Sequence, residues 1–187
     1  MIVGPNHGVV MNLPPVVGVY AAQRQAEGLP LAFPGGVDRA LEAVDARLVG
    51  DACLWAAANA GAAGETYNLT NGEVFSWRDM WPAIAQTLGV PLGEDEPLSV
   101  AEYILQRDDL WQVIVARHDL VPNTLEQIVG ESHHYADLCF AFGVNDAPPP
   151  IFVSTVKIHQ AGFNQTYNSE ESFCYWLRDL RYRRIIP

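Results

Sequence analysis

Segments able to form β-strands are scarce in this chain, and that scarcity limits the folds open to it. Three short runs have strand character. They are residues 1–4, Leu29 to Phe33, and Thr66 to Thr70, where side chains alternate before an Asn71-Gly72 turn. A usual sheet has ~5–6 strands, so these runs can supply only an incomplete one.

Helix signals fill the space between. Asn12 precedes Pro14 and Pro15, which suit a first helical turn, and the pattern runs on to Gly28. Asp45 is placed to cap a helix through LVGDACLWAAA, whose Leu48, Val49, Ala52, Cys53 and Ala56 share one face. Ser76 with Asp79, Ser99 with Glu102, and Asn123 with Glu126 have the spacing of capping boxes. The first of these predicts a helix over Trp77 to Leu88, ended by Gly89. Helical patterns also cover Ser132 to Phe142 and Glu170 to Tyr182. Internal repeats are absent, and Pro148 to Pro150 is the one linker candidate. The expectation is a mixed α/β chain, rich in helix.

At 187 residues and 49% hydrophobic, one domain with a real core is expected. The formal net charge is −11, and Lys157 is the sole lysine. An acidic surface repels phosphate backbones, so no nucleic-acid partner is expected. The basic cluster Arg178, Arg181, Arg183 and Arg184 fits the cation preference of a helix C-terminus. Cys53, Cys139 and Cys174 form no CxxC and sit among apolar neighbours, which points to reduced, buried thiols and a cytoplasmic protein. The first charge is Arg24, so a secretory signal is not expected. No run approaches ~20 apolar residues, so no membrane partner is expected either.

Familiar catalytic signatures are missing. GPNHG is the nearest approach to a dinucleotide-binding loop and is one glycine short of GxGxxG. Walker and GxSxG motifs do not occur. Tyr20–Arg24 and Tyr103–Arg107 have the spacing of a Tyr-xxx-Lys pair, but arginine stays protonated, so solvated helix faces are expected there. His133-His134-Tyr135 is the densest polar-aromatic group. Adjacent helical residues point ~100° apart, so the two histidines are not expected to share an ion. His133 and Asp137 could share one, but zinc needs three or four ligands, and no metal is expected. Aromatic bodies with polar tips suit a pocket wall; a plain half-buried helix is the alternative.

The stretch DARLVGDACLWAAANAGAAGETYNLTNGEVFSW reads as helix, strand and Ser-Trp helix start. It is similar to the C-terminal half of the extended short-chain dehydrogenases/reductases, in the NAD-dependent epimerase/dehydratase superfamily. With IVGPNHGVVMNL, VYAAQRQAEGLPLAFPG, LVPNTLEQIVG, HHYADL and SFCYWLRDLRYRRIIP, the chain resembles the progesterone 5β-reductase/iridoid synthase-like branch. The resemblance implies the C-terminal remnant of a Rossmann-fold sheet plus a mainly helical substrate-binding domain. Rossmann pieces would be about 1–12 and 45–70, and substrate-domain pieces about 13–44 and 71–187.

That branch reduces the C=C bond of α,β-unsaturated carbonyls with NADP(H). Ile2, Val3 and Gly4 match a segment whose backbone meets the nicotinamide amide. Met11 matches a residue near cofactor and substrate. Tyr135 matches a pocket aromatic, and His133 and His134 stand where two tryptophans are found, which favours a smaller or more polar enone or carbonyl substrate. The branch's Gly-rich loop and its catalytic tyrosine and lysine precede the segment matched by Met1. The implied expectations are no catalytic residue here, an inactive chain on its own, and no cofactor bound by it alone. A homo-oligomer through the exposed sheet remnant, or a non-catalytic ligand-binding homologue, is the other reading.

Overall fold

The computed structural model describes residues 1–187. Two strands, β1 (Ile2–Val3) and β2 (Val44–Asp45), run parallel, with Ile2 opposite Val44 and Val3 opposite Asp45. Nine α-helices accompany them: α1 (Leu13–Ala26), α2 (Ala46–Ala58), α3 (Trp77–Leu88), α4 (Val100–Leu105), α5 (Asp108–Arg117), α6 (Leu125–Val129), α7 (Ser132–Cys139), α8 (Val156–Gln160) and α9 (Ser169–Tyr182). The class is therefore α/β, with a small parallel sheet remnant among helices.

The strand expectations need correction. Thr66 to Thr70 joins no ladder. Asn71, at its end, does the pairing instead: its N–H donates to the Ala43 carbonyl (2.7 Å), and its Oδ1 accepts from the Asp45 N–H (2.7 Å). A side-chain amide thus replaces a strand neighbour beside β2. Leu29 to Phe33 makes one isolated bridge, Leu31 to Leu92. β2 itself is two residues long and carries no periodicity to read.

Helix starts follow the capping signals closely. The side chains of Asp45, Ser76 and Ser99 accept from the backbone N–H of Arg47, Asp79 and Glu102. At α6 the cap lies one residue later than expected: Thr124 and Gln127 form the reciprocal box, while Asn123 accepts from the Trp111 indole (2.9 Å). Asn12 precedes α1 as expected, but its side chain caps nothing in that helix. It turns back onto the preceding loop, described below.

Helix α1 is the hub. Val16, Val17, Val19 and Tyr20 are all buried, so it is apolar around most of its circumference, as a central helix must be. It packs against α3, α4, α5, α6, α7 and α9. Trp77 anchors the other half of the core, edge-on to Phe140 (4.9 Å) and Phe173 (5.0 Å).

The two Tyr–Arg pairs are not solvated faces. Tyr20, Arg24 and Tyr103 are buried. Arg24 reaches the Pro30 carbonyl (3.0 Å) and Glu96 (2.8 Å), while Tyr103 and Arg107 both bond Glu27. Acceptors brought from distant segments make arginine burial affordable, and helical spacing cannot show them. The C-terminal arginines likewise act as clasps: Arg181 on Thr87, Arg183 on Pro5 and Arg184 on Asp119. Cys139 and Cys174 are buried as expected, but Cys53 is exposed, because nothing covers its side of α2. No helix is long and apolar enough to cross a membrane.

Candidate functional site

The loop from Gly4 to Asn12 connects β1 to α1 and lies against α6 and α7. Gly8 N–H donates to the Ile128 carbonyl (2.8 Å). Gly130 has φ +50°, and a Cβ there would come within 2.6 Å of the Gly8 carbonyl carbon. Only glycine permits so close a backbone approach. Ser132, at the start of α7, completes the docking: its hydroxyl donates to the Val9 carbonyl (2.6 Å) and accepts from the Asn12 N–H (3.0 Å).

This docking sets Val10 and Met11 beside the exposed stripe of α7. Together with Glu131, His134, Tyr135 and Leu138 they line an open cleft of about 400 Å³. Met11 is 61% exposed and Leu138 65%, so the cleft offers apolar surface to a ligand. The Tyr135 phenol is held well above its ordinary pKa by burial and by neighbouring Cys139, so it stays a neutral donor. Burial also pushes the Cys139 thiol up.

Three of the residues singled out from sequence, Met11, His134 and Tyr135, thus share this cleft. His133 is buried, and Ile2, Val3 and Gly4 lie away from the lining. Glu131, Leu138 and Val10 were missed. Glu131, His134, Tyr135 and Leu138 follow i, i+3, i+4, i+7 spacing, the signal that could have found two of them.

His133 does not pair with Asp137, whose carboxylate accepts from Ser99 Oγ and the Val100 N–H (2.6 Å) at the start of α4. Nor do the adjacent histidines diverge: their ring centroids are 4.1 Å apart. Rotation about the side-chain bonds outweighs the backbone's angular offset.

No protein-family model matches the chain. Curated proteins do. An (S)-8-oxocitronellyl enol synthase of Camptotheca acuminata is 30% identical over 95% of this chain and 46% of its own length. A 3-oxo-Delta(4,5)-steroid 5-beta-reductase of Arabidopsis thaliana is 28% identical over 100% of this chain and 48% of its own. The chain's relatives are the progesterone 5β-reductase/iridoid synthase-like proteins. It spans about half the length of the relatives it matches, corresponding to their C-terminal half.

Gly4 packs tightly on α2, where a Cβ would lie 2.9 Å from Ala46 Cβ. Its N–H and C=O are both engaged by the Asn12 amide, at 3.4 and 3.0 Å. The Pro5 and Asn6 carbonyls are taken by Arg183 and Asn12. The sequence contains no Gly-rich strand-to-helix loop of the kind that cradles a pyrophosphate.

Proposed function

We propose that this chain is the substrate-covering part of an NADP(H)-dependent oxidoreductase that reduces the C=C bond of an α,β-unsaturated carbonyl. The observation that carries the reading is the cleft shared by Met11, His134 and Tyr135 in a chain similar to the 5β-reductase-like proteins. Apolar walls from Val10, Met11 and Leu138 suit a hydrocarbon body, and Glu131, His134 and Tyr135 add polar groups to the lining. The cofactor and the groups that stabilise the enolate belong, on this reading, to the rest of such an enzyme. Residues of about 1–12 and 45–70 would complete its Rossmann part.

Methyl NMR on a methionine-labelled chain, titrated with 2-cyclohexen-1-one, tests the reading. The Met11 methyl should shift saturably while that of buried Met80 does not, and Tyr135→Ala should weaken the effect. An unmoved Met11 methyl would contradict it.

A second reading, a ligand-binding or oligomerising homologue without catalysis, draws on a different face. An entirely apolar hollow of about 300 Å³ lies between α2 and the 67–69 segment, lined by Val44, Val49, Trp55, Tyr67 and Leu69 among others. Leu54 beside it is 73% exposed and Ile2 on β1 is 60% exposed. Such surface is ordinarily covered. Light scattering that shows a clean monomer would count against self-association.

A further inference from the structure

We infer that Glu131, His133 and His134 form a binding site for a single borderline divalent cation such as Zn²⁺. One ligand atom from each lies within 4.8 Å of the others. Two imidazoles and a carboxylate are a donor set that suits zinc, and three protein ligands leave a fourth position open. His134 and Glu131 both line the cleft that holds Met11 and Tyr135.

His133 provides the independent observation. It is 6% exposed, and its Nδ1 is buried with no hydrogen-bond partner. A buried imidazole nitrogen left unpaired is costly, and the ring packs against that of His134, their centroids 4.1 Å apart. A bound cation would draw the ring's lone pair into a bond. His134 and Glu131 are largely exposed, with Nε2 and Oε2 3.9 Å apart, and are free to rotate inward around an ion. Metal capture needs no help from an upstream segment, since all three ligands lie within four consecutive residues of the α7 start. The Glu131 carboxylate and the chain's net charge of −11 offset the positive end of that helix. This inference does not rest on the reductase reading.

Calorimetric titration of the 187-residue chain with Zn²⁺ alone tests it. One ion per chain is expected, with binding weakened at least about tenfold in both His134→Ala and Glu131→Gln, as for other losses around a metal. Both side chains are exposed, so these variants keep the fold. His118→Ala, at the far end of α5, should bind as the unaltered chain does. Absence of one-to-one binding, or weakening below about tenfold in either variant, overturns the site.

Discussion

Asn12 engages the Gly4 backbone twice, accepting from its N–H at 3.4 Å and donating to its carbonyl at 3.0 Å. The same amide also donates to the Asn6 carbonyl. One buried side chain therefore holds the whole β1–α1 loop that carries Met11 to the cleft. Asn12→Ala leaves these buried groups unpaired and should destabilise the fold by about 2–3 kcal/mol. Urea unfolding measures this as a lower midpoint at unchanged slope.

Asp45 gives an acid-side prediction. Its burial alone would raise the carboxyl pKa, but hydrogen bonds from the Arg47 side chain and backbone outweigh that, and the net shift is downward. A lowered folded pKa contributes stability that is complete above the unfolded value of ~3.9 and lost as pH falls through the lower folded one. Stability should therefore drop below about pH 4, and Asp45→Asn should flatten that drop. Urea midpoints measured across this range check it; parallel curves for both chains would contradict the assignment.

Thiol reactivity separates the three cysteines. Cys53 is exposed, whereas burial raises the thiol pKa of Cys139 and Cys174. A maleimide should label Cys53 rapidly in the native chain and the other two only in denaturant. Mass spectrometry of the labelled peptides reads the order directly.

What could be read in the sequence was local. Asp45, Ser76 and Ser99 cap their helices because a cap needs only residues two or three places on. The strand at Thr66 to Thr70 failed because a ladder needs a partner, and Asn71 supplied the bonds from a side chain instead. Arg24 and Arg107 looked solvated because Glu96 and Glu27 reach them only through the fold. At the cleft, Met11, His134 and Tyr135 were identified through family resemblance. Their proximity depends on Gly8 and Gly130 meeting across more than a hundred residues, which no spacing rule encodes.

Titrated with NADPH, the 187-residue chain alone should show no saturable change in dihydronicotinamide fluorescence. Phosphate recognition wants a Gly-rich turn at a helix N-terminus, and the Gly4 peptide is already occupied by Asn12. Saturable micromolar binding would mean that other residues assemble a cofactor site.

The central claim is tested most directly by joining the N-terminal half of the Arabidopsis thaliana relative to these 187 residues and following NADPH oxidation with 2-cyclohexen-1-one. The account predicts oxidation that depends on the enone and falls when Tyr135 is replaced by alanine. A folded, NADPH-binding chimera that oxidises the cofactor equally with and without enone would contradict it.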